Sequence, residues 1–162
     1  IISVLMDKIS VLFVCLGNIC RSPAAEAIFL KIIEDKGIQD KFFVDSAGTG
    51  SWHVGKDSDQ RMKLAAKKRN VIIKSKARQI KKDDFKEFNY ILTMDNSNYI
   101  DVLKIKNSES SSDFSKIIKI QEFALHFSEK EVPDPYFGGD DGFNYVLDIL
   151  EDSVSGFLKS II

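Results

Sequence analysis

Two thiols and a guanidinium fall within VCLGNICRSP, Val14 to Pro23. An ionised cysteine is a strong nucleophile, and arginine presents a planar fork that grips two oxygens of one phosphate, a task lysine does poorly. The spacing C-x5-R from Cys15 to Arg21 therefore puts an attacking group and an oxyanion clamp on a single curl of chain. Gly17 and Asn18 are residue types that a tight curl needs. Ser22 brings a hydroxyl able to donate to the Cys15 sulfur, and Pro23 suits the first turn of a helix.

A turn between a strand and a helix N-terminus aims several backbone N–H groups into one concavity, and the helix dipole adds partial positive charge. A thiol at the base of such a nest ionises more readily than a free one, whose pKa is about 8.5. This is not a nucleotide loop, because G-x-x-x-x-G-K-[ST] is absent. Nor is it a zinc site: C-x4-C with no second pair, and only His53 and His126 elsewhere, falls short of four ligands. What remains is a sulfur aimed at phosphorus while amides and Arg21 hold the equatorial oxygens. No metal and no cofactor is called for.

The elements that must position this loop follow from periodicity. Ile9–Val14 is a short β-branched apolar run of the kind found in a central parallel strand. After the loop, Ala25, Ile28, Phe29, Ile32 and Ile33 recur at helical spacing until Gly37. A second strand is expected at Phe42–Ser46, a turn at Ala47–Ser51, a helix from about Asp57 to Arg69, and a third strand at Tyr90–Met94. Asp95 is placed to cap a helix carrying Ile100, Val102, Leu103 and Ile105. A fourth strand is expected at Ile117–Ile120, and the apolar positions from Phe143 to Ile161 mark one face of a long terminal helix. Ser108–Ser112 reads as an exposed loop. Strands alternating with helices predict an α/β fold in three layers, flavodoxin-like or Rossmann-like. Its four-stranded parallel sheet has helices on both faces, and the site lies beyond the carboxyl ends of the strands, between strand 1 and helix 1.

The chain's 162 residues fit one domain, 1–162. With 23 basic against 24 acidic residues, there is no global attraction for nucleic acid or for an anionic membrane. Both cysteines lie in the loop and cannot cross-link distant parts of the fold, which suits a reducing cytoplasm. Ile9–Leu16 after Lys8 imitates the core of a signal peptide, but no small-residue cleavage site follows, so membrane insertion is not expected. I-S-V-L occurs at Ile2–Leu5 and again at Ile9–Leu12, and Met6 reads as the natural start, with residues 1–6 a disordered or expression-derived extension.

Taken together, Cys15-Leu16-Gly17-Asn18-Ile19-Cys20-Arg21-Ser22-Pro23, Asp45-Ser46-Ala47-Gly48-Thr49, Trp52, Ala77-Arg78-Gln79, Met94-Asp95 and Asp134-Pro135-Tyr136 resemble the low-molecular-weight protein tyrosine phosphatases, in that family's order. The resemblance implies that Cys15 attacks phosphorus to form a phosphocysteine while residues 16–22 (Leu16, Gly17, Asn18, Ile19, Cys20, Arg21 and Ser22) cradle the phosphate. It makes Asp134, bracketed by Pro133 and Pro135, the general acid and then the base that activates water. Otherwise Asp134 would be an ordinary turn residue. Asn18, Ser22 and Ser46 would support the loop. Trp52 and Tyr136 would wall a cleft deep enough for a phenyl phosphate, with Leu16 and Ile19 either lining it or packing beneath the loop. A lone Trp is otherwise a core residue. Cys20 is either a redox partner that protects Cys15 in a reversible disulfide or a small buried filler.

The partners implied are phosphotyrosine proteins or peptides and small aryl phosphates, with inorganic phosphate or vanadate as inhibitors. An arsenate reductase of the same fold needs further cysteines, and none follows Cys20. A binding module that lacks catalysis has no use for Asp134. Two departures stand out. Lys74, Ser75 and Lys76 occupy the place where mammalian relatives carry a histidine before Ala-Arg-Gln, and Tyr136-Phe137 stands where many eukaryotic relatives have two tyrosines. From Arg61 to Lys82 there are ten Lys or Arg and no acid: either a solvated helix face with its loop or a surface that steers acidic phosphopeptides.

Overall fold

The computed structural model describes residues 8–106, 112–135 and 139–162. Tyr136, residues 1–6 and most of the Ser108–Ser112 stretch lie outside the described residues. Four strands, β1 (Ile9–Cys15), β2 (Phe42–Gly48), β3 (Tyr90–Thr93) and β4 (Lys116–Lys119), form an all-parallel sheet in the order β2-β1-β3-β4. Among the described residues five α-helices accompany them: α1 (Arg21–Asp35), α2 (Gln60–Lys67), α3 (Asp84–Glu87), α4 (Asn96–Lys106) and α5 (Asp140–Ile161). The predicted three-layer α/β architecture is the observed one.

β1 lies at the centre because its side chains are buried on both faces. Val11, Phe13 and Cys15 point into a core shared with α1 and α5, while Leu12 and Val14 point into a second core with Phe85, Phe88, Ile91 and Val102. That split is the period-2 alternation of a strand with both faces covered. On the larger side the Phe157 ring meets Phe29 at 6.0 Å and both Tyr90 and Phe123 at 5.2 Å.

α1 stops where Gly37 turns to φ +70°, and Ile38 N–H then reaches the Ile33 carbonyl at 2.9 Å. This closure requires a residue that tolerates the left-handed region. α2 is shorter than the expected 57–69 span. Asp57 forms an antiparallel bridge with Lys76, so the chain stays extended until Asp59, whose carboxylate accepts the Arg61 N–H at 2.8 Å and caps the helix. Asp95 caps α4 as anticipated, accepting the Asn98 N–H at 2.7 Å. On α4, Asn98, Val102 and Ile105 face the sheet at i, i+4 and i+7, while Ile100 and Leu103 of the same helix are exposed. The order of the sheet reverses between β1 and β3, and the loop that follows β1 opens at this switch point.

Candidate active site

β1 ends on Cys15, the chain curls through residues 16–20, and α1 begins at Arg21, so sulfur and guanidinium sit at the two ends of one turn. Cys15 is 3% exposed and Arg21 is 3% exposed. Asn18 N–H points at the Cys15 Sγ from 3.2 Å, and the Ser22 Oγ lies 3.0 Å from it.

The curl is held by Asn18, which sits at φ +58° and is buried. Its Oδ1 accepts the Arg78 N–H at 2.9 Å, which turns its Nδ2 toward Ser22 Oγ at 2.8 Å and Ser46 Oγ at 3.0 Å. Each serine hydroxyl has one proton to give. Ser46 gives its proton to Glu26 Oε1 at 2.6 Å. Ser22, accepting from Asn18, has its Oγ 3.0 Å from the Cys15 sulfur and within donating reach of the Ala47 carbonyl at 3.4 Å. Asn18 thereby ties both serine hydroxyls and the Arg78 backbone into one network around the Cys15 sulfur.

β2 closes the underside. A Cβ on Gly48 would stand 2.8 Å from the Leu16 carbonyl oxygen and 3.1 Å from the Asn18 nitrogen, so only glycine lets the strand approach this closely. Arg78 staples the region: its carbonyl accepts the Gly48 N–H at 2.8 Å, while its guanidinium grips Asp45 at 3.0 Å and the fully buried Asp84 at 3.0 Å.

Arg21 is aimed by two partners. Nη1 donates to Asp95 Oδ2 at 2.7 Å and to the Val132 carbonyl at 2.9 Å, while Nη2 lies 3.6 Å from Asp134 Oδ2. Burial works against its charge, but Cys15, Asp95 and Asp134 hold the guanidinium above its ordinary pKa. Asp95 thus caps α4 with one oxygen and orients Arg21 with the other. The Val132 N–H bonds the Met94 carbonyl at 2.8 Å, tying the segment that presents Asp134 to the end of β3.

Cys15, Arg21 and Asp134 share one cleft of about 120 Å³, walled by Leu16, Ile19 and Trp52 and completed by Gly17, Cys20 and His53. Trp52 is not a core residue: it is 68% exposed, and its ring lies over Gly50, where a Cβ would sit 1.9 Å from a ring carbon. Leu16 is 40% exposed at the mouth. Both cysteines are free thiols, and burial, reinforced by Asp59 and Cys15, pushes the Cys20 thiol far up, so that it stays protonated.

Four contributors escaped the sequence reading. His53, weighed only as a metal ligand, packs over Gly17, whose added Cβ would meet its Cδ2 at 3.0 Å. Asp95 was read as a cap alone, and Arg78 only as part of a recognisable word. Glu26 was not singled out. Its signal was a carboxylate set among Ala24, Ala25, Ala27 and Ile28 on a buried helix face. Burial raises its pKa to about 7, against the lowering effect of hydrogen bonds from Ser46 and Ser75. Ser75 is one of the three residues noted above as a departure before Ala77-Arg78-Gln79, and here the supporting network ends on a carboxyl group.

The family profile described as low molecular weight phosphotyrosine protein phosphatase matches residues 10–162. A low molecular weight phosphotyrosine protein phosphatase of Schizosaccharomyces pombe is 45% identical over 155 residues, covering 95% of this chain and 97% of the relative. The crystal structure of a protein tyrosine phosphatase from Entamoeba histolytica superposes with a TM-score of 0.89 at 43% identity, covering 95% of this chain and 97% of that one. A Drosophila arginine phosphatase superposes with a TM-score of 0.88 at 36% identity, over 93% of this chain and 96% of its own.

Proposed function

Because the chain belongs to the low molecular weight phosphotyrosine protein phosphatase family, we propose that it hydrolyses phosphotyrosine and other aryl phosphate monoesters through a phosphocysteine on Cys15. The observation that carries this reading is the convergence of Cys15, Arg21 and Asp134 on one cleft, with Arg21 Nη2 3.6 Å from the Asp134 carboxyl.

In the first step the Cys15 sulfur attacks phosphorus in line. An S–P bond forms, the P–O bond to the phenol breaks, and Asp134 transfers its proton to the departing oxygen. The backbone N–H groups of residues 16–21 and the free edge of the Arg21 fork hold the three equatorial oxygens as charge redistributes. In the second step Asp134, now a carboxylate, takes a proton from water. The water oxygen bonds to phosphorus, the S–P bond breaks, and the electron pair returns to Cys15, where the Ser22 hydroxyl and the Asn18 N–H stabilise it. Water is the only co-reactant. Inorganic phosphate and vanadate occupy the same cradle and inhibit.

The walls favour an aromatic ester. Leu16, Ile19 and Trp52 present apolar surface to a phenyl ring, whereas a short aliphatic chain gains little from them. Phosphotyrosine is therefore favoured over phosphoserine, and the likeness to a Drosophila arginine phosphatase makes phosphoarginine the competing substrate to assay. The protonated Cys20 leaves any protective disulfide to begin with oxidation at Cys15. Two free thiols suit a reducing compartment.

The test is Cys15→Ser assayed against para-nitrophenyl phosphate and a panel of phosphotyrosine, phosphoserine, phosphoarginine and sugar phosphates. Wild type should turn over the aryl esters best. The variant should fall to background while still binding phosphate or vanadate. Retained turnover removes Cys15 from the chemistry.

A further inference from the structure

The ten cations between Arg61 and Lys82 are sorted by the fold into those with carboxylate partners and those without. Arg61 is held by Asp59 at 3.0 Å, Arg69 by Asp148 and Glu151 at 2.8 and 3.0 Å, Lys76 by Asp57 at 3.1 Å, and Arg78 by Asp45 and Asp84. Lys63 and Lys67, one turn apart on α2, have no carboxylate of the described residues within ion-pairing distance. Asp57 lies near enough for Lys63 to lower its pKa, but its first partner is Lys76.

Between these two lysines the chain exposes apolar surface. Leu64 is 61% exposed and Ile72 is 53% exposed, and with Gln60 and Ile73 they complete a groove of about 340 Å³ that no acidic residue lines. A hydrogen bond ties the start of α2 to the cleft: Asp59, the cap of α2, donates its N–H to the Ile19 carbonyl at 2.8 Å, and Ile19 forms part of the cleft wall. At 1.5 Å per residue, α2 carries the groove no more than ~12 Å along its axis from that wall. An extended peptide covers such a distance in about four residues.

We propose that this groove is a second docking site for phosphoprotein substrates, receiving a stretch with carboxylates and one apolar side chain three to six residues from the phosphotyrosine held at Cys15. The inference rests on the phosphatase reading above and adds a preference that the cleft alone does not supply. Charge complementarity selects the occupant: two cations flanking exposed Leu64 and Ile72 match an acidic segment with an apolar anchor, and like charge repels a basic one. Ion pairs this exposed are individually weak, so two of them make a selectivity of about fivefold at low salt.

Kinetics on three substrates test it: a phosphotyrosine peptide with Asp/Glu and a Leu at those positions, its Gln/Ser counterpart, and para-nitrophenyl phosphate. Wild type should show about fivefold higher kcat/KM for the acidic peptide, fading as salt rises. K63E/K67E should reverse the preference while leaving para-nitrophenyl phosphate turnover unchanged, and Leu64→Ser should weaken it without altering the salt slope. Equal kcat/KM for both peptides, or a preference that survives the double reversal, overturns the proposal. So does cosedimentation with phosphatidylserine vesicles that the double variant loses while its peptide kinetics stay unmoved. Loss of all aryl phosphate turnover in wild type would instead refute the phosphatase reading. The groove is then still tested by fluorescence anisotropy with the unphosphorylated acidic peptide, where binding equal to that of the Gln/Ser peptide counts against it.

Discussion

Glu26→Gln is the most revealing single substitution in this molecule, because it removes a titration while preserving shape and an acceptor for Ser46. Burial raises the carboxyl of Glu26 from its ordinary 4.5 to about 7, so the folded state binds this proton over a range where the unfolded chain has released it. The group's contribution to stability is therefore complete below pH 4.5 and is lost as pH rises through 7. At about 1.4 kcal/mol for each tenfold change, the full displacement amounts to ~3 kcal/mol, and partial solvent access reduces this to ~2 kcal/mol. Glutamine has no proton to lose, so the variant should gain ~2 kcal/mol on wild type between pH 5 and pH 8, or roughly 4–8 °C in Tm for a chain of this size. Urea unfolding at pH 5, 6, 7 and 8 reads the difference directly. The variant should keep most of its kcat, since Ser46 still has an oxygen to donate to. A stability difference that stays flat across that range would refute the account of Glu26 as a buried, proton-holding anchor.

Asp134→Asn should slow phenyl phosphate by about 10²-fold or more and para-nitrophenyl phosphate far less, because a good leaving group needs little proton transfer. Equal losses across a leaving-group series would remove Asp134 from the acid role. Gly48→Ala places a methyl 2.8 Å from the Leu16 carbonyl oxygen and should cost ~1–3 kcal/mol of stability, with a fall in kcat as the loop is displaced. Thermal melts and kcat that both match wild type would show that the underside of the loop is not close-packed.

The candidate site was legible in the sequence because it is compressed: Cys15, Arg21 and Ser22 are near neighbours, and Asp134, which lines the same cleft, stands between two prolines. The strands and α5 were legible for a similar reason, since their apolar periodicity is local and strong. The missing parts depend on distant pairs. Nothing near Asp95 announces that it meets Arg21, 74 residues earlier, or that Glu26 lies beneath Ser46, 20 residues later. α2 was drawn too long for the same reason, because the bridge between Asp57 and Lys76 is invisible to helical propensity. The inward face of α4 is not legible from its apolar residues, because a polar residue, Asn98, occupies a buried position that a hydrophobic pattern cannot flag.

Arg21 is seated by groups 74 and 111 residues further along the chain, Asp95 and the Val132 carbonyl. A nascent polypeptide or a fragment ending before that second contact would display the whole thiol-to-arginine word and still lack an oriented clamp. On the mechanism proposed above, competence for phosphate chemistry would have to wait until the chain as far as Val132 is in place.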